Sequence, residues 1–137
     1  MGRIIGIDFG AKRTGIATTD PLRIIASALT TVESETVIEF LKKYVASEVV
    51  DEFVVGLPMN LNNQETDGTA LVRAFLIQLE AAFPDKKIAT HDERFTSKMA
   101  LKTMILGGSS KKDRKVKGNL DKISAQIILQ EYMERRF

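Results

Sequence analysis

Four acidic residues stand where the chain changes its periodicity: Asp8 after the apolar run Ile4-Ile5-Gly6-Ile7, Asp92 and Glu93 after residues 87–91, and Asp121 early in the last amphipathic stretch. A carboxylate at the mouth of a buried strand is costly unless it binds a cation, closes a turn or does chemistry. Strand ends of one sheet lie side by side, and a helix crossing that sheet can bring its first turn over them. Asp8, Glu93 and Asp121 are therefore candidates to surround one site with hard oxygen ligands. The chemistry that uses such a set is phosphodiester hydrolysis, in which two Mg²⁺ ions about 4 Å apart activate water and stabilise the leaving oxygen. Clustered acids repel one another, and a metal removes that conflict.

Each acid also has a plainer reading. Asp8 before Phe9-Gly10 can close a turn on its own backbone, and Asp121 can favour a helix start through the macrodipole. Glu93 beside Arg94 can form a surface ion pair. Taken singly these readings are ordinary; the joint placement of three acids at element ends is what points to chemistry. His91, the single histidine, reads as a strand-end structural residue or as a proton shuttle beside Asp92.

At 137 residues the chain is expected to form a single domain over residues 1–137, large enough for its own core. Hydrophobic content of 44% and charged content of 28% are those of a globular protein. With no cysteine, disulfides, thiolate nucleophiles and cysteine zinc sites are excluded. No stretch approaches the roughly 18 apolar residues of a spanning helix, and the chain opens directly on a strand, so a cytoplasmic protein without a membrane is expected. The net charge of +2 says little, but residues 109–119 hold Lys111, Lys112, Arg114, Lys115 and Lys117. Such a run is either a solvated loop or a footprint for a phosphate backbone.

The elements that must position these residues follow from period and punctuation. Strands are expected over residues 3–8, 14–19 and 24–31, joined by short turns as an antiparallel meander. A helix follows over 34–48, with Val37, Leu41, Tyr44 and Val45 on one face and a capping box from Thr36 to Glu39. A strand over 52–56 leads through Gly56-Leu57-Pro58 into a loop, then a helix over 66–83 with Leu71, Phe75, Leu79 and Ala82 inward. A strand over 87–91, a helix over 97–106 opened by Thr96 or Ser97, and a last helix capped by Asn119 complete the chain. In that last helix Leu120, Ile123, Ile127 and Ile128 are expected to face inward. The order β-β-β-α-β-α-β-α-α makes an α/β fold with a mixed sheet, an antiparallel meander followed by parallel strands flanked by helices.

The segments 5–17, Val54-Val55-Gly56-Leu57-Pro58, Asp92-Glu93-Arg94-Phe95-Thr96-Ser97 and 117–129 resemble the YqgF/RuvX family over nearly the whole chain. The resemblance implies a ribonuclease-H-like fold related to Holliday-junction resolvases, and a nuclease of 5′-end maturation of 16S ribosomal RNA. It implies that Asp8, Glu93 and Asp121 are the acidic active-site set, holding Mg²⁺ or Mn²⁺, with Arg13 the basic residue beside them. It places the segment 107–119 near that site, where Lys111, Lys112, Arg114, Lys115 and Lys117 would hold phosphates of precursor rRNA or branched DNA. A monomer or weak dimer is expected. Asn63 stands where the family has a glycine, Phe95 and Ser97 vary a motif more often written with Leu and Thr, and Gln126 replaces a small residue.

Three rivals stay open. A four-way-junction resolvase uses more acids than can be assigned here. A nucleotide-binding module is suggested by Asp8-Phe9-Gly10 with Arg13-Thr14-Gly15, which resembles the phosphate hairpin of actin-like ATPases but lacks their second lobe. A non-catalytic RNA-binding factor would use the same acids as helix caps.

Overall fold

The structure is a computed structural model that describes residues 2–59, 64–92 and 113–135, with residues 113–120 described by their backbone alone. Five strands form one sheet: β1 (Arg3–Phe9), β2 (Arg13–Thr19), β3 (Ala26–Glu33), β4 (Val50–Leu57) and β5 (Lys87–Asp92). Their order is β3-β2-β1-β4-β5. β1, β2 and β3 pair antiparallel, whereas β1 with β4 and β4 with β5 pair parallel. This is the mixed sheet the sequence predicts. A 3₁₀ turn (Ser34–Thr36) opens α1 (Val37–Ser47), α2 (Asp67–Ala82) links β4 to β5, and α3 (Asp113–Arg135) comes last.

Alternation along the strands sorts side chains to two faces. Ile5, Ile7, Phe53 and Val55 pack with Val37 and Leu41 of α1 and Val72, Phe75 and Leu79 of α2. Ile4, Ala17 and Val54 pack on the opposite face with Ala125, Ile128, Leu129 and Met133 of α3. Each fully buried aliphatic side chain contributes roughly 1.5–3 kcal/mol, so a one-residue slip of β1 would forfeit both layers. Asp8 has the parity of Ile4 and belongs to the α3 face. Its neighbour Phe9 stacks on Phe75 with ring centroids 4.2 Å apart, which fixes the strand end against α2 and so fixes which way Asp8 faces.

Several boundaries differ from those expected. The third strand starts at Ala26 rather than residue 24, because Asp20 Oδ1 accepts the amides of both Ile24 and Ile25 at 2.7 and 2.8 Å. Those amides are consumed by a turn, and Leu22, Ile24 and Ile25 are left exposed. The Thr36 capping box is absent; the Thr36 hydroxyl donates to the Glu33 carbonyl instead. α2 is capped by reciprocal bonds between Thr66 and Thr69, and it buries Thr69, Val72, Phe75 and Leu79. Leu71 is exposed and Val72 is buried in its stead, while Phe75, Leu79 and Ala82 pack inward as expected.

α3 departs most. It begins by Asp113, so Asn119 does not cap it, and Arg114, Lys115 and Lys117 stand on a helix rather than a loop. Lysine and arginine are good helix formers, and Gly118 costs only about 1 kcal/mol, too little to break 23 residues anchored on a sheet. Ser124, Ala125, Ile128, Leu129 and Met133 are buried, while Ile123 and Ile127 are half-buried. Gln126 donates from Nε2 to the Ala26 carbonyl at 3.0 Å, tying α3 to the start of the edge strand β3. The helix expected over 97–106 and Asn63 lie outside the described residues.

Candidate active site

Asp8 lies on β1 directly opposite Gly15 of β2. α3 crosses the sheet at that point so closely that a Cβ on Gly15 would overlap the Asp121 carbonyl. Glycine is required there by the packing, and its absent side chain is what lets Asp121 reach the strand pair that carries Asp8. Asp121 sits about two turns past Asp113, not in the first turn, so its position owes nothing to the helix terminus. Two of the three expected acids thus share one face and one end of the sheet. Glu93 lies outside the described residues, and among those residues no group of three or more His, Asp or Glu converges as a metal cluster.

Arg13 enters this site through Asp121. Its Nε donates to Asp121 Oδ2 at 3.1 Å across 108 positions of sequence. The pair is unequally sheltered: the Arg13 side chain is 45% exposed and that of Asp121 22%. The turn before Arg13 is itself held. The Ser34 hydroxyl donates to the Gly10 carbonyl at 2.6 Å, which uses its one proton, so the Thr14 hydroxyl donates to Ser34 Oγ at 2.7 Å. The Ser34 amide adds a bond to the Lys12 carbonyl at 3.0 Å. The base of Arg13 is therefore anchored while its guanidinium reaches outward.

An open cleft of about 430 Å³ lies beside this turn, lined by Ala11, Lys12, Arg13, Glu33 and Glu35. Glu33 and Glu35 offset Lys12 and Arg13 there, so the lining carries no net positive charge to draw a nucleotide's phosphates. His91 is 4% exposed and on the α3 face, with neither ring nitrogen hydrogen-bonded; Glu131 Oε1 lies 3.8 Å from Nε2. Burial pushes its pKa down, Arg135 pushes the same way, and Asp92 opposes them. A ring held neutral has no ion pair to make with Glu131. Its setting is that of a core histidine.

Lys111 and Lys112 lie outside the described residues, and Arg114, Lys115 and Lys117 fall in the first turns of α3. The Arg13–Asp121 bond puts Arg13 beside one of the expected acids, where the family resemblance implied it. The sequence reading missed Glu52, 3% exposed, which accepts a bond from the Tyr132 hydroxyl and lies 3.7 Å from Lys87 Nζ. Its parity with Val54 on β4 was the available clue.

Residues 2–135 match the sequence model of the family RuvX, described as "Holliday junction resolvase". A protein of Flavobacterium johnsoniae named "Putative pre-16S rRNA nuclease" is 48% identical over 99% of both chains. One of the same name from Porphyromonas gingivalis is 48% identical, over 98% of this chain and 97% of its own. Among solved structures, the Fowlpox virus resolvase in complex with Holliday junction DNA superposes with a TM-score of 0.61 at 12% identity, covering 98% of this chain and 99% of that one. RuvC of T. thermophilus bound to a Holliday junction gives 0.58 at 13% identity, over 99% and 96%. At such identities the likeness is one of fold, the ribonuclease-H-like arrangement of the resolvases.

Proposed function

This chain belongs to the RuvX family, and from that premise we propose that it is a metal-dependent nuclease hydrolysing RNA phosphodiesters in cytoplasmic 5′-end processing of precursor 16S rRNA. The observation that carries the reading is the meeting of Asp8 and Asp121 at Gly15, in a chain 48% identical end to end to relatives named for that activity. The donor chemistry fits a hard divalent cation: two carboxylates on one face, that of Asp121 half-sheltered where its helix packs on the sheet, with Glu93 as the third. Mg²⁺ or Mn²⁺ bound there would supply an activated water and stabilise the leaving oxygen.

The chain's own residues do the rest. Asp8 and Asp121 are held by the strand pair and by α3, so the carboxylates are in place before substrate arrives. Lys111, Lys112, Arg114, Lys115 and Lys117 grip phosphates and set register without reading bases. The run has no aromatic residue, so stacking contributes no base choice.

The test is cleavage of precursor 16S rRNA and of a synthetic four-way DNA junction, in Mg²⁺, Mn²⁺ or EDTA, by the wild type and Asp8→Asn. RNA cleavage that needs metal and disappears in Asp8→Asn, with the fold retained by circular dichroism, is expected. Cleavage surviving both the substitution and EDTA would sink the mechanism. Junction cleavage at the greater rate would favour the resolvase reading, and binding without cleavage the non-catalytic one.

A further inference from the structure

The Arg13–Asp121 pair is unequal in a way that matters if Asp121 is a metal ligand, the reading on which this inference rests. A guanidinium and a metal cannot both saturate one carboxylate oxygen, because each places positive charge at the same lone pairs. Asp121 is the sheltered partner, its backbone wedged on Gly15, so it cannot leave. Arg13 is the exposed partner, and its long side chain leads out from a braced turn. We infer that Arg13 is the resident counter-cation of Asp121, occupying the carboxylate while no metal is bound and yielding it to the metal on loading. The released guanidinium then faces the phosphate whose charge the metal attracts, in the planar two-donor geometry that suits phosphate oxygens.

Arg13 is on this account a positioning residue with two successive partners. Before loading it keeps Asp121 from repelling Asp8, and its displacement makes metal binding weaker than the carboxylates alone would give. The size of that handicap is bounded by what half-exposed pairs contribute, about two- to fivefold in affinity.

The experiment is calorimetric titration of the full chain with Mn²⁺ alone, without nucleic acid, with melting temperatures measured beside it. The variants are Arg13→Met, Arg13→Gln, Arg13→Lys, Lys12→Met and Asp121→Asn. Arg13→Met and Arg13→Gln should bind Mn²⁺ about two- to fivefold more tightly, Arg13→Lys should stay near the wild type, and Lys12→Met should do the same. Unchanged or weaker binding in Arg13→Met and Arg13→Gln, with binding lost in Asp121→Asn, overturns the exchange and leaves Asp121 a ligand. Equal tightening in Lys12→Met overturns it too, because the effect would then be the general field of the turn. Undiminished binding in Asp121→Asn removes the ligand reading itself, and the exchange with it.

Discussion

The two ends of the β1–β2 pair each carry an aspartate–arginine contact, and the two contacts are built in opposite senses. At the end where β1 begins, Asp51 Oδ2 accepts the Gly2 amide at 2.8 Å and Arg23 Nη2 at 2.7 Å, while Arg23 Nε donates to the Gly2 carbonyl at 2.8 Å. There the arginine is the covered partner, 22% exposed, and the aspartate the open one at 46%. Arg23 also takes a left-handed φ of 59°, a conformation costing roughly 1–2 kcal/mol in a residue with a side chain. At the other end the aspartate is covered, the arginine is open, and the contact joins two side chains across 108 positions. An ion pair woven into backbone bonds holds the fold closed; one between an anchored carboxylate and an exposed guanidinium has no such backbone ties, which is the asymmetry the proposed exchange uses.

The strongest way to break this comparison is through the glycines beside each aspartate. A Cβ at Gly15 meets the Asp121 backbone, which cannot yield without moving α3 off the sheet. Gly15→Ala should cost at least about 1–3 kcal/mol in stability and carry Asp121 away from Asp8. Urea unfolding and RNA cleavage should both show the loss, cleavage falling more than tenfold. A Cβ at Gly2 comes within 2.5 Å of Asp51 Oδ1 and 3.0 Å of the Asp51 backbone nitrogen, and relief there requires the carboxylate, 46% exposed, to turn and loosen its bonds to the Gly2 amide and Arg23. Gly2→Ala should lose about 1 kcal/mol, less than Gly15→Ala, and keep full activity. Equal losses in the two variants would mean that α3 is not wedged on Gly15.

A smaller effect sharpens the same contrast on the side of the substrate. Replacing Lys111, Lys112 and Lys115 by Gln should weaken RNA binding and make the slope of log K against log salt shallower, by about 0.7 for each phosphate of single-stranded RNA that is no longer neutralised. Charge removal at the closed end, as in Arg23→Gln, should leave that slope alone. Filter binding at several salt concentrations reads both, and an unchanged slope in the lysine variant returns the run to a solvated role.

Much of this was legible in the chain because it is local. Alternation and turn signals placed all five strands to within two residues at each end, and the crossover helices implied the parallel half of the sheet. Asp8 could be placed because a strand ends where its pattern ends. The two residues by which β3 starts late were not legible, since Asp20 captures the Ile24 and Ile25 amides and a turn wins over two residues of high strand propensity. The start of α3 was misread for a related reason: polar composition suggests a loop, whereas lysine and arginine propagate a helix once one is nucleated on a sheet. No period or spacing links Arg13 to Asp121, 108 positions apart, and only the family resemblance placed Arg13 beside the acids. Asp121 itself was found, though as a helix-start residue, when what fixes it is the missing side chain of Gly15.

The smallest expected effect concerns the closed end and acid. The Gly2 amide, and then Arg23 and the N-terminal charge, hold the Asp51 carboxyl below the ordinary aspartate range, against a partial burial that pulls the other way. A carboxyl whose pKa is lower folded than unfolded adds stability that is whole above the unfolded value and fades as pH falls through the folded one. The contribution is therefore complete at pH 7 and disappears below about pH 4. Because the side chain is 46% exposed, solvent screening keeps it under about 1 kcal/mol. Asp51→Asn should melt a few degrees below the wild type at pH 7, and the two curves should converge toward about pH 3, with Mn²⁺ affinity unaltered throughout. Curves that stay parallel into acid would show that Asp51 serves the fold through shape rather than charge, and the two ends would then differ less than their contacts suggest.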